Sequence, residues 1–486
     1  MPATTASRRV LAAAAAVFSA FGVGALAFAL PRGAGLNFVS GTWLTLGLDD
    51  ARGVLYRPIS GPAGFGGTRY FPLWIVLHGG LVKAGFSGVA AGHVISVAAA
   101  IAWLAAAFAL LRLNGLSSGR AWPFAVLTLC SSAGVLGLTT IRGDMLPAAL
   151  NLCGIASASR AVSGRAAART LGTAAACFAL AVAAKPSAAF GVFALSCALA
   201  LNGHGRRAIV LAAGTAALSA VLVLWADVSS GSRMFAVIRA SAGAGGTAWN
   251  VFHAPAAFMY TLVHQDPMTL VVSALTFAAL MLMTAREWTE PLTCATVGAL
   301  AAAVALHATP GIDYNHLVDF VGLAVIFLGV RMHRTPSFEP TMAAAISAAT
   351  VMAVVLFAYT LKENARMPER AELPAVRSFL SGLDKRTGPV LASNPLVTAL
   401  DDEPAFVLDP VMFQVLRTND PRLEQRMDAA VSAGMFRAVV VEGDAAGAVE
   451  QSELTRIYGA GFQGALLARY RAAGTFAPYV VYVPRP

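Results

Sequence analysis

Stretches of about twenty apolar residues recur along this chain, and a run of that length is what an α-helix needs to cross a bilayer. They lie near residues 10–30, 88–111, 121–140, 145–159, 208–228, 267–285, 291–308, 316–330 and 341–361. A backbone in hydrocarbon must satisfy its own hydrogen bonds, so these runs leave a helical membrane bundle as the available fold. Composition agrees: 57% of the 486 residues are hydrophobic and 12% charged, with a mean hydropathy of +0.67. The 35 Lys and Arg exceed the 25 Asp and Glu. That surplus sits in short loops between apolar runs, the pattern of membrane topology, which argues against nucleic acid as a partner.

Region 171–201 is long enough for one over-long helix or two short ones, with Lys185-Pro186 at its middle. Loop charge decides. Arg8-Arg9, Arg112/Arg120, Arg160/Arg165/Arg169, Arg206/Arg207, Arg286 and Arg331/Arg334 mark loops expected on the cytoplasmic side. Both loops flanking 171–201 are basic, so the chain is expected to cross twice there, with Lys185-Pro186 as an outer tip. The expectation is an α-helical polytopic membrane protein of about eleven transmembrane helices, N-terminus inside. The run after Arg8-Arg9 reads as an uncleaved first span, since no Ala-x-Ala site precedes a soluble domain.

The outer side then collects a long first loop (31–87), the tips Arg142-Gly143-Asp144 and Lys185-Pro186, the loop 229–266, and Asp313-Tyr314-Asn315-His316. Residues 1–361 form the membrane domain. Residues 362–486 have the composition of a small extracytoplasmic α/β domain. Its strands are expected at 390–393, 406–408, 438–441 and 479–483, and its helices at 373–383, 420–433 and 448–458. It carries no phosphate loop, Gly-rich dinucleotide signature or nucleophile elbow. The five cysteines (Cys130, Cys153, Cys177, Cys197, Cys294) fall inside apolar runs and read as small buried hydrophobes.

The first loop carries Gly53-Val54-Leu55-Tyr56-Arg57-Pro58 and then Thr68-Arg69-Tyr70-Phe71-Pro72-Leu73. These two steps resemble those of the GT-C superfamily of membrane glycosyltransferases, most of all the polyprenyl-phosphate-dependent branch of the dolichyl-phosphate-mannose and aminoarabinose transferases. The large first outer loop, the short charged tip between the third and fourth spans and the outer C-terminal domain are similar too. The resemblance implies transfer of a sugar from a polyprenyl-phosphate carrier to an extracytoplasmic acceptor, in a bacterial cell (inner) membrane. It implies no cofactor, and no His, Asp or Glu cluster has the spacing to support a divalent metal. The family's aspartate lies near the end of the first span. Here that stretch, Leu36-Asn37-Phe38-Val39-Ser40-Gly41, has no carboxylate, and the nearest acids are Asp49 and Asp50.

Such a transfer needs a carboxylate for the acceptor's proton and cations for the leaving phosphate. Asp50 and Asp49 are therefore the candidate bases, Asp50 preferred; the alternative is an N-cap or an ion pair with Arg52. Arg57, Arg69 and Lys83 are phosphate or sugar ligands or else snorkelling cations, with Tyr70 beside Arg69. Arg142 and Asp144 either pair across the tip or give the site a second acid. Lys185 is a phosphate ligand or a snorkelling lysine. His316 and Asp319, three apart on one helix face, bind substrate or close a polar contact between helices. In the tail, Asp401-Asp402-Glu403 and Asp409-Pro410 read as turns ending strands, with acceptor binding as the alternative. Two other functions compete: a transporter or flippase of lipid-linked sugar, and an inactive GT-C-like scaffold. Sugar, acceptor and oligomeric state are not encoded in any recognisable pattern.

Overall fold

The structure, a computed structural model, describes residues 2–33, 35–163, 167–242, 248–264, 266–309, 314–366, 372–443 and 451–486. Asp313, Arg165 and the expected helix start at 448–450 lie outside them.

Six helices are long and apolar enough to cross a membrane: Thr5–Pro31, Gly88–Leu113, Met145–Val162, Gly205–Ser229, Tyr314–Arg334 and Pro336–Asn364. Four shorter apolar helices, Ala168–Ala184, Pro186–Leu201, Pro267–Met281 and Pro291–Leu306, lie among them. The expected span at 121–140 is instead two helices, Ser118–Leu127 and Ser132–Thr139, bent by 81°. Local chemistry makes the break. Ser131 Oγ accepts from Gly134 N (3.1 Å), and Asp266 Oδ2 accepts from Ser132 N (2.9 Å), so the new helix start is capped. Gly134 lies so close to the Leu129 carbonyl that a Cβ would overlap it. With the bent pair these make the eleven expected apolar segments. Lys185-Pro186 does divide 171–201: Lys185 is extended (φ −160°, ψ 116°), as a residue before proline prefers.

Among the described residues, the segments carrying Arg8, Arg207, Arg331 and Arg334 gather on one face. Arg207 donates to the Ala161 carbonyl (2.7 Å), Asn202 to that of Thr289 (2.8 Å), and Arg334 pairs with Glu290 (2.6 Å). Arg331 pairs with Glu287, and Arg8 with Glu339 at 3.4 Å. The tips at 142–144, 185 and 315 meet on the opposite face.

The long first loop is itself largely helical. Asn37 and Ser40 form a capping box on helix Phe38–Ala51, and Pro72 opens helix Pro72–Lys83. Gly47 against the His78 ring and Gly79 against the Asp50 carboxylate leave no room for a Cβ, so a side chain of each helix lies on the bare backbone of the other.

The C-terminal region holds a four-stranded sheet in the order β1 (Val390–Ala392), β2 (Ala438–Glu442), β4 (Tyr479–Pro484), β3 (Tyr470–Phe476), with β1 and β2 parallel and the other pairs antiparallel. The expected strand at 406–408 is not part of it. Its backbone pairs with the first loop instead: Phe65 N donates to Phe406 O (2.8 Å) and Leu408 N to Phe65 O (3.0 Å). Helices Pro410–Asn419 and Phe462–Arg469 were not expected.

This pairing is one of several links between the domains. Arg57, buried, donates to the Ala405 carbonyl (2.6 Å) and to Asp49 Oδ1 (2.8 Å). Asp402 Oδ1 accepts from Gly88 N (2.9 Å), while its carbonyl accepts from Arg52 (2.8 Å). Arg57→Gln leaves Asp49 buried without its cation. Loss of one partner from a buried pair costs about 3–5 kcal/mol, so the variant is expected to unfold at a clearly lower temperature in detergent.

His78 gives a pH dependence. It is buried, its Nε2–H donates to Gly88 O (2.7 Å), its Nδ1 has no partner, and it stacks on Trp74. Burial lowers its pKa from 6.5 to about 4, against the opposing pull of the Gly88 carbonyl and Asp402. The unfolded chain therefore takes up the proton first, and His78's contribution is complete above pH 6.5 and lost as pH falls towards 4. The contribution is on the order of 3 kcal/mol. His78→Gln, which keeps an N–H donor, should flatten the decline of thermal midpoint between pH 7 and pH 4 relative to the wild type; an unchanged slope contradicts the assignment.

Candidate active site

Asp144 stands at the centre of the polar face. It begins helix Met145–Ser163, where the helix dipole favours an anion. Lys185 Nζ lies 2.6 Å from its Oδ1 and Asn315 Nδ2 donates to its Oδ2 at 2.8 Å. Three tips far apart in sequence thus converge on one carboxylate. Burial opposes ionisation of Asp144; Lys185, His316 and Arg142 outweigh it and hold the carboxyl below the usual range.

The first loop adds the next wall. Tyr70 has Asp409, Arg69, Asp144 and Arg142 as charged neighbours, and burial raises its hydroxyl above the usual range. Its ring stacks on Trp43 (centroids 4.1 Å apart), and Tyr56 donates to its carbonyl at 2.9 Å. Trp43 also packs over Gly143, where any Cβ would overlap the indole. Gly143 therefore lets the Arg142-Gly143-Asp144 tip lie flat beneath the aromatic pair.

Two buried nitrogens here lack partners. Arg142 Nε and His316 Nδ1 are buried and make no hydrogen bond among the described residues. His316 shares this region with Lys185, Asp144 and Arg69, and Asp319 has Lys185 and Asp144 as charged neighbours. Arg69 is exposed. No group of three or more His, Cys, Asp or Glu able to hold a metal ion occurs among the described residues.

Of the expected site residues, Arg69, Tyr70, Arg142, Asp144, Lys185, His316 and Asp319 come together. Asp49, Asp50 and Arg57 do not join them. Asp49 is committed to Arg57, and Asp50 lies against Gly79 with Lys83 3.4 Å away. Their charged neighbours are Arg57, Arg52 and Lys83, none from the Asp144 cluster. The tail acids also have local tasks: Asp409 caps helix Pro410–Asn419, Asp401 pairs with Arg377, and Glu403 pairs with Arg437. Trp43 carries no signal in the sequence; Asn315 stands in the outer set 313–316, and Asp409 is among the tail acids for which acceptor binding is the alternative to a turn.

A cavity of about 400 Å³ adjoins this region at the carboxyl ends of the parallel strands β1 and β2. Phe38, Ser393, Gln414, Glu442 and Arg456 line it, with Pro410 and Val411 forming the wall next to Asp409. Open α/β sheets commonly hold ligands at this position.

No protein-family model matches the sequence, and no curated protein matches it. Solved structures do. The likeness is one of fold alone, and it is the fold that the sequence resemblance implied. ArnT from Cupriavidus metallidurans bound to undecaprenyl phosphate is similar at TM-score 0.64 and 10% identity, over 96% of this chain and 97% of that one. The apo oligosaccharyltransferase of Archaeoglobus fulgidus is similar at 0.59 and 10%, over 96% of this chain and 73% of that one. AglB from the same organism, in complex with an inhibitory peptide and a dolichol-phosphate, is similar at 0.54 and 11%, over 99% and 74%.

Gly143→Ala tests how the tip is seated. The added methyl displaces Trp43, so the variant is expected to fold with a red-shifted Trp emission and to lose at least tenfold in any activity that needs the Asp144 cluster. Unchanged emission contradicts the packing.

Proposed function

We propose that this protein is a membrane glycosyltransferase that moves a sugar from a polyprenyl-phosphate carrier to a hydroxyl of an extracytoplasmic acceptor. The observation that carries the reading is a buried arginine donor without an acceptor, Arg142 Nε, beside Lys185 and Arg69 on the polar face. Buried donors in native proteins are almost always satisfied, and a phosphate would complete this one. The GT-C fold, shared with ArnT bound to undecaprenyl phosphate, supports the same ligand chemistry.

The acceptor oxygen attacks the anomeric carbon while its bond to the phosphate oxygen breaks, and the carrier leaves as polyprenyl phosphate. Arg142, Lys185 and Arg69 hold the charge that builds on the leaving phosphate. Asp144, kept ionised by its cations, faces the positive charge developing on the sugar and orients the acceptor hydroxyl. The hydroxyl's proton goes to the departing phosphate, because a carboxyl with so depressed a pKa is a poor resting place for it. His316 and Tyr70 wall the sugar, Asp319 supports Lys185 from the membrane side, and the acceptor arrives from the cavity beside Asp409. Asp49, Asp50 and Arg57 hold the first loop to the bundle and to the outer domain.

This reading sets the basic face in the cytoplasm, and the cluster and C-terminal domain outside, in a cell (inner) membrane. Asp144→Asn and Lys185→Ala should each lower transfer of a radiolabelled sugar from polyprenyl phosphate in proteoliposomes by about 10²-fold or more. Asp50→Asn should retain activity within a few-fold. If Asp50→Asn abolishes transfer and Asp144→Asn does not, the assignment of the acid reverses.

A further inference from the structure

The opposite, basic face holds a second polar cavity that the transfer reaction does not use. It measures about 180 Å³ and lies between helices Pro2–Arg32, Ser118–Leu127, Val318–Arg334 and Glu339–Arg366. Its polar end is made by Arg8, Arg120, His333 and the carboxylate of Glu339; Leu11, Phe124 and Met332 make an apolar remainder.

The charges at the polar end are unequally matched. Arg8 is compensated by the buried Glu339 at 3.4 Å. Nearby Arg331 and Arg334 are likewise paired with Glu287 and Glu290. Arg120 differs. Its Nη1 lies 3.0 Å from His333 Nδ1, so it donates to a neutral imidazole, and no carboxylate lies within ion-pair distance of it among the described residues. The helix that carries Arg120 starts beside it at Ser117, which makes no side-chain cap bond. At Gly119 a Cβ would meet nothing within 4 Å, so the first turn is open to the cavity. An uncompensated guanidinium and an open helix start at the mouth of an apolar groove ask for an anion with an attached chain.

We propose that this groove binds an anionic phospholipid of the leaflet on the basic face. The phosphate sits between Arg120 and the first turn at Gly119, and an acyl chain runs along Leu11, Phe124 and Met332. The lipid clamps the first helix to the bent pair and to the last two membrane helices. Basic pockets between membrane helices on the cytoplasmic side are suited to such headgroups.

The test is thermal unfolding of the full-length protein in neutral detergent, with phosphatidylglycerol, phosphatidylcholine or inorganic phosphate added, alongside native mass spectrometry of retained lipid. Phosphatidylglycerol should raise the midpoint and remain bound, with phosphatidylcholine and phosphate much weaker. Arg120→Gln should weaken the phosphatidylglycerol effect at least tenfold in the concentration required, while Arg120→Lys keeps most of it and reports that the fold is intact. Equal stabilisation by phosphatidylcholine, or an Arg120→Gln response equal to wild type, overturns the proposal. A full response to inorganic phosphate alone also overturns it, since the site would then take a soluble anion.

Discussion

The pairing of Arg57 with Asp49 is the contact on which the outer half of the molecule depends. It joins the end of helix Phe38–Ala51 to the loop that follows, and the same guanidinium reaches the Ala405 carbonyl of the C-terminal domain. A buried pair of this kind is a poor source of net stability, because both ions lose water. Its value is in register: only one placement of residues 53–71 satisfies both groups. From that placement Phe65 takes up its pairing with 406–408, and Arg69-Tyr70 is delivered to the Asp144 tip. The two acids that sequence alone favoured for catalysis thus have structural partners already.

The membrane domain solves a related problem with different means. Three tips must meet at Asp144, and each belongs to a helix that begins or ends there. The bent pair, the break at Lys185-Pro186 and the short turn Tyr314–Leu317 each stop a helix at the depth of the cluster. Each break leaves backbone groups to satisfy, and side chains do it: Ser131 and Asp266 at the bend are the clearest case. Irregular backbone in a membrane protein is tolerated where it lines such a polar site.

Much of this was legible in the sequence, for definable reasons. Apolar run length and loop charge act locally, so the eleven apolar segments, the division of 171–201 at Lys185-Pro186 and the gathering of polar tips could all be read off. The bend within 121–140 was missed although Ser131-Ser132 and Gly134 lie at it, because run length alone reads the stretch as one span and the Asp266 contact that completes the cap comes from far along the chain. The strand expected at 406–408 has the right residues, but Phe65 captures its backbone. Strand β3 was missed for the opposite reason: Tyr470–Phe476 is an edge strand, mostly exposed, with Ala and Gly where a buried strand would show Val or Ile. In the site, Arg69, Arg142 and Lys185 lie with Asp144, while Arg57 lies with Asp49 and Lys83 with Asp50; closeness along the chain foreshadows the Arg57–Asp49 pair but not the meeting of Lys185 with Asp144.

The arrangement around Asp144 also explains why a single acid serves among several cations. Lys185 and Asn315 occupy its two oxygens, so its charge is fixed in position and it cannot swing to neutralise Arg142 as well. Arg142 Nε is left buried and unpartnered beside it. An unmet donor costs about 1–3 kcal/mol, and nothing in the fold recovers that while the site is empty. A bound phosphate recovers it without disturbing the Lys185–Asp144 contact, because the donor that needs an acceptor is not the one already in use. Under the proposed function the tip therefore withholds stability at one atom and returns it when an anion arrives, with the three tips already joined at Asp144.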